Sequence, residues 1–68
     1  MDIKVSLKAA RINAGMTQAD VAKAMQRSKG TIAHWENGDT KVRKTNLRWM
    51  SELYGIPVDN LLVPERKK

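Results

Sequence analysis

Between Ser28 and Gly38 the chain reads SKGTIAHWENG, and the next six residues, DTKVRK, add the cations Lys41, Arg43 and Lys44. The same stretch holds Lys29, Thr31, His34 and Asn37, all with polar side chains. His34 is the only histidine and there is no cysteine. With no second imidazole, thiolate or paired carboxylate placed to help, His34 has no partners for metal binding or acid–base catalysis. No nucleophile–base pair and no phosphate-cradling glycine loop is visible either. The expectation is therefore no metal, no cofactor and no enzyme activity. What remains is binding chemistry, in which positive charge meets negative charge.

The whole composition points the same way. Thirteen Lys and Arg stand against seven Asp and Glu, for a net charge of +6 on 68 residues. That excess suits a polyanion: nucleic acid first, with an acidic membrane or an acidic protein as alternatives. The same charge would also serve solubility alone. A chain this short makes one domain, and buries only about 60% of the surface its unfolded form exposes. Compact local packing is thus required, with no disulfide to help. No apolar run approaches the ~20 residues that span a bilayer. The N-terminal MDIKVSLKAARINAG carries scattered charges and does not read as a signal peptide.

The elements that must position these groups are helices, since nothing alternates with period two for long enough to argue a sheet. The first helix is expected from Asp2 or Ser6 to Asn13, with Ile3, Leu7 and Ala10 inward and Gly15 as a left-handed stop. Thr17 caps a second helix and Asp20 closes its capping box, with Val21, Ala22 and Met25 inward. After a break at Gln26–Arg27, Ser28 opens the third helix, which Asn37–Gly38 closes. Val42 anchors the basic loop. Thr45 is expected to cap a fourth helix, with Leu47, Met50, Leu53 and Tyr54 on its inner face, and Gly55 stops it. Pro57 starts a short fifth helix carrying Val58, Leu61 and Leu62. Pro64 ends the ordered part, giving a domain over 1–63 and a basic tail over 64–68, with ERKK frayed.

Two short helices joined by so tight a break must cross steeply, because there is no chain for an antiparallel return. Ala22 suits the crossing point, and Ile32 with Trp35 anchors the second member of the pair. At 100° per residue, Ile32, Trp35 and Glu36 share one face, while Gly30, His34 and Asn37 fall opposite, flanked by Ala33 and Lys29. Lys29 opposes the helix dipole by a few tenths of a kcal/mol, and Gly30 is a poor helix former. Both features make sense on a face that meets another molecule closely.

With these residues in place the chain resembles the Cro/phage-repressor (Xre-like) helix-turn-helix family. The resemblance runs from about Leu7 to Leu62 through Arg11, Gly15-Met16-Thr17-Gln18, Val21-Ala22, Ser28, Ile32, Trp35-Glu36-Asn37-Gly38 and Gly55-Ile56-Pro57-Val58-Asp59-Asn60-Leu61-Leu62. It implies an all-α, compact five-helix lambda-repressor-like DNA-binding domain, with the helix-turn-helix at helices 2 and 3. It further implies a third helix laid in the DNA major groove, and dimers on near-palindromic operators. One departure stands out: family members commonly carry glycine in the turn between helices 2 and 3, where this chain has Gln26. A non-glycine residue held left-handed there costs roughly 1 kcal/mol, unless the turn takes another shape.

By the same resemblance Arg11 and Glu36 form a partly buried pair, rather than Arg11 lying on DNA, and Gln18 meets a phosphate at the start of helix 2. Ser28, Asn37, Lys41, Arg43 and Lys44 complete the expected phosphate-binding set, which adds affinity and little discrimination. Lys29, Gly30, Thr31, Ala33 and His34 are the expected base readers: Lys29 toward guanine O6 and N7 or a phosphate, Thr31 and Ala33 toward a thymine methyl, Gly30 by clearance. His34 is expected on a base or phosphate, with binding strengthening as acid charges the imidazole. Trp35 is core, whereas Trp49 lies off the inner stripe and is a candidate dimer anchor, as is the Leu61–Val63 end.

The resulting expectation is a sequence-specific regulator of transcription, cytoplasmic and bacterial or phage-encoded, acting as a homodimer on double-stranded operator DNA with no membrane partner. A phage or prophage repressor or Cro-like protein, either compact or the N-terminal piece of a longer chain, would occupy an operator and block polymerase. The alternatives are a restriction–modification controller, an antitoxin with a toxin or other protein partner, and a non-specific nucleic-acid or protein binder reusing the fold.

Overall fold

The computed structural model describes residues 3–64. Four helices, α1 (Leu7–Asn13), α2 (Gln18–Met25), α3 (Lys29–Asn37) and α4 (Lys44–Tyr54), are followed by a 3-10 turn at Val58–Asn60. Two short strands, β1 (Val5–Ser6) and β2 (Leu61–Leu62), pair in parallel with Val5 opposite Leu61 and Ser6 opposite Leu62.

The helix boundaries follow from side-chain caps and left-handed stops. Ser6, Thr17 and Ser28 each accept a hydrogen bond from the backbone N–H three residues on, which opens α1, α2 and α3. At α2 the cap is reciprocal, because Thr17 N–H donates to the Asp20 carboxylate at 2.8 Å. That hydrogen bond holds the Asp20 carboxyl below its ordinary range.

All four helices end in the same way. A residue with positive φ follows the helix: Gly15 (74°), Gln26 (55°), Gly38 (80°) or Gly55 (69°). The next N–H then reaches back five residues, from Met16 to Arg11, Arg27 to Ala22, Asp39 to His34 and Ile56 to Ser51. This is the Schellman stop, which satisfies carbonyls that the helix leaves unpaired. Three stops use glycine. The fourth, Gln26, forces a side chain into the left-handed region, so the turn keeps its shape at a cost of roughly 1 kcal/mol. Gln26→Gly should therefore hold or raise the melting temperature by relieving that strain. A clear fall in the melting temperature would mean that the Gln26 side chain makes a stabilising contact.

The core gathers Leu7 and Ala10 of α1, Val21, Ala22 and Met25 of α2, Ile32 and Trp35 of α3, and Met50 and Tyr54 of α4. Val42 from the loop and Leu61 from β2 close it. Leu47 and Leu53, expected on the inner face of α4, pack against this cluster only half-buried. Asn46 is buried on that helix instead, accepting from Arg27 at 3.4 Å.

Several sequence expectations need correction. Ile3 does not line α1: it precedes β1 and is 64% exposed, because Ser6 caps the helix and leaves the earlier residues outside it. Asp2, the alternative start, lies outside the described residues. Thr45 does not cap α4, since Arg43 takes the extended cap conformation and helix geometry begins at Lys44, with no side-chain cap bond.

The fifth helix is a three-residue 3-10 turn. Leu61 continues from it in extended conformation and pairs with β1, so one leucine goes inward and Leu62 stands 52% exposed. A two-residue ladder is too short to leave any alternating pattern in sequence. Asn60 secures it by donating from Nδ2 to Ile3 O at 2.8 Å. Of the expected tail at 64–68, ERKK lies outside the described residues.

Candidate nucleic-acid interface

The α2–α3 pair forms because the left-handed Gln26 and the Arg27-to-Ala22 backbone bond (2.8 Å) turn the chain sharply before Ser28 opens α3. Ala22 is buried at this junction together with Val21, Met25, Ile32 and Trp35. Ile32 and Trp35 consequently fix the rotation of α3. Gly30, His34 and Asn37 fall on the side away from them, with Lys29 on the flank at the helix start; Lys29 and Gly30 are exposed, and Thr31 and Ala33 are half-buried at the edge.

Ser28 and Thr31 are engaged with each other. Their hydroxyls lie 2.9 Å apart and the Thr31 N–H donates to Ser28 Oγ. Gly30 sits within the first turn without positive φ, so its backbone needs no glycine. A Cβ at this position would meet only Ser28 Oγ, at 3.9 Å, which is ordinary contact.

The second side of the site comes from the loop after α3. Val42 is buried and pins the loop, leaving Lys41, Arg43 and Lys44 exposed around a shallow groove shared with Thr45 and Leu47. Lys29 and Lys44 are each the first residue of a helix whose first turn holds no acidic residue. A cation there opposes the helix dipole by a few tenths of a kcal/mol, a cost an anionic partner would remove.

Beneath the exposed face lies a polar knot. Arg11 Nε donates to Glu36 Oε2 at 2.6 Å and Nη2 donates to Oε1 at 3.3 Å, while Nη1 donates to Met16 O at 2.9 Å. Gln18, the first residue of α2, donates from Nε2 to Glu36 Oε1 at 3.1 Å. Among the described residues this leaves its second N–H and its carbonyl oxygen for an outside partner. The Glu36 side chain is 2% exposed, so the carboxylate is neutralised and hydrogen-bonded inside the protein.

Tyr54 belongs to the same region. Its hydroxyl is buried and has no hydrogen-bond partner among the described residues. Burial, with the Glu36 carboxylate adding and Arg11 opposing, pushes the phenol up to about 12 from its ordinary value of 10.0. In the folded state the proton is held while the unfolded chain has begun to ionise. Below pH 10 both states keep the proton and folding bears no penalty from it; as the pH rises from 10 toward 12 only the unfolded chain ionises, so the folded state becomes progressively less stable. As Tyr54 is the only tyrosine, tyrosinate absorbance should appear only near the higher value or together with unfolding. Ionisation near pH 10 in a still-folded protein would contradict this environment.

A family model described as helix-turn-helix matches residues 7–61, from the first residue of α1 into β2. The chain belongs to the Cro/phage-repressor (Xre-like) helix-turn-helix family. This helix-turn-helix protein is accordingly a DNA-binding regulator of transcription, with α2 and α3 as its defining pair. No curated protein and no solved structure matches it significantly. No helix of the described residues is long and apolar enough to cross a membrane, and no group of three potential metal ligands occurs among them.

The helix-turn-helix chain also holds polar contacts that reading its sequence missed. Gln18 bonds Glu36, Arg27 bonds Asn46, and His34 Nδ1 lies 3.2 Å from Asp39 Oδ2. The last had a legible signal, because Gly38 in a left-handed stop brings the next residue back to the helix end.

Proposed function

We propose that this protein regulates transcription by reading operator sequence through α3 laid in the major groove of double-stranded DNA. The observation that carries the proposal is the composition of the α3 outer face. Gly30 and His34 are exposed there, with Lys29 exposed at its flank and Thr31 and Ala33 at the edge, although a lysine and a glycine in a first turn both weaken the helix. Lys29 offers a donor to guanine O6 and N7, Thr31 and Ala33 offer methyl groups to thymine, and Gly30 permits close approach. Gln18, Ser28, Asn37, Lys41, Arg43 and Lys44 flank this face and supply phosphate contacts that fix register. Arg11 and Glu36 support the interface from below by holding α1, α2 and α3 together.

A homodimer on a near-palindromic operator follows from this mode of reading, since one such module covers only a half-site. Trp49, 41% exposed on α4, and the half-buried to exposed Val63 and Leu62 are the dimer candidates; Leu61 is committed to the core. Occupation of the operator would block polymerase, as a phage or prophage repressor or Cro-like protein does.

Selection of bound duplexes from a random pool tests the proposal. A palindromic motif with half-sites about one helical turn apart is the expected result. Failure to enrich any motif would contradict specific reading. Gly30→Ala gives a sharper check on the face itself. The added methyl should leave folding intact or raise stability by up to about 1 kcal/mol, yet weaken or redirect binding to the selected duplex. Unchanged binding would mean that Gly30 makes no close approach.

A further inference from the structure

We infer that Asp39 fixes His34 as a hydrogen-bond acceptor toward DNA, so that His34 selects a base carrying an exocyclic amino group, cytosine N4 or adenine N6. The inference rests on the proposed placement of α3 and assigns a base class to one of its residues. Gly38 takes φ 80° after α3, and the Asp39 N–H then donates to His34 O at 2.9 Å. That backbone bond delivers the Asp39 side chain to the imidazole, where Oδ2 lies 3.2 Å from Nδ1. A carboxylate can only accept, so in the neutral imidazole the proton sits on Nδ1 and Nε2 is left with a lone pair. The His34 side chain is 59% exposed, on the face opposite Ile32 and Trp35. An acceptor projected into the major groove matches the amino groups of cytosine or adenine, and mismatches guanine O6 and N7. Asp39 is thus a positioning residue and His34 the specificity-determining one, and charging the ring would remove this acceptor, contrary to the expectation that acid strengthens binding.

His34 is the only histidine, so a nitrogen-15 spectrum of the imidazole reports this residue alone. At mildly alkaline pH the free protein should show the Nδ1–H tautomer, and Asp39→Ala should shift it to Nε2–H without changing the fold, as Asp39 is exposed. A wild-type ring already in the Nε2–H form would overturn the inference. On the selected duplex at the same pH, wild type should prefer cytosine or adenine at one position per half-site, by roughly two- to tenfold. His34→Ala should lose that preference at that position only, and Asp39→Ala should reduce it. If a specific duplex is found and His34→Ala leaves every base preference unchanged, the His34 assignment fails while the proposed function stands. If no duplex is enriched, both fail.

Discussion

Arg11→Ala should unfold this domain or bring it close to unfolding. The substitution strips three donors from one place: two from the Glu36 carboxylate and one from Met16 O in the turn between α1 and α2. Glu36 would keep only the Gln18 amide while its side chain remains out of water. Removing one member of a buried ion pair in this way costs about 3–5 kcal/mol. A single core of this size rarely supplies more than about 3–5 kcal/mol in total, so the loss is comparable with the whole stability. Denaturant melts of Arg11→Ala and of the double variant Arg11→Met/Glu36→Leu separate charge from packing. The double variant should recover much of the loss, since it leaves no buried charge. Arg11→Lys should fall between, because an ammonium cannot reproduce the two-pronged contact. A fully stable Arg11→Ala would contradict the structural role assigned to the pair. In whatever fraction stays folded, base preference should be unaltered.

Replacing Lys41, Arg43 and Lys44 together by alanine should have the opposite signature, with weaker binding in an equally or more stable protein. All three are exposed, and none has an ion-pair partner among the described residues. Removing Lys44 also relieves a cation at the start of α4, by a few tenths of a kcal/mol. Each phosphate that the loop no longer neutralises should lower the slope of log affinity against log salt by about 0.9, so the triple variant should reduce that slope by about 3. Its affinity should fall alike on all duplexes, because phosphate carries no sequence information. An unchanged slope would mean that the loop is merely solvated.

These two expected outcomes would separate the charged residues that hold the fold from those proposed to face a partner. Capping pairs at Thr17–Asp20 and Ser28, glycine stops, and the inward spacing of Ile32 and Trp35 are local signals, and the structure carries all of them. The misses are non-local or too short to repeat. The β1–β2 ladder joins residues more than fifty positions apart and is two residues long. Leu61 and Leu62 therefore read as one more helical stripe, when only Leu61 turns inward. Thr45 has the chemistry of a cap, but the backbone at Arg43 enters helix geometry first. At the candidate site, helical spacing placed Gly30, His34 and Asn37 outward, with Lys29 and Ala33 on their flank. It could not reveal that Gln18 bonds Glu36, a contact that depends on how α2 and α3 cross, and only the Gly38 stop signalled that Asp39 returns to His34.

The proposed mode of binding divides the work: α3 reads bases while the surrounding loop reads charge. The affinities of wild type, Lys29→Ala and Lys41→Ala for the selected duplex, and for each of its single-base-pair variants, test that division directly. Lys29→Ala should flatten discrimination at one or two positions per half-site, costing about 1–3 kcal/mol there. Lys41→Ala should lower affinity evenly and keep the profile. A Lys29→Ala profile parallel to wild type at every position would contradict base reading by α3.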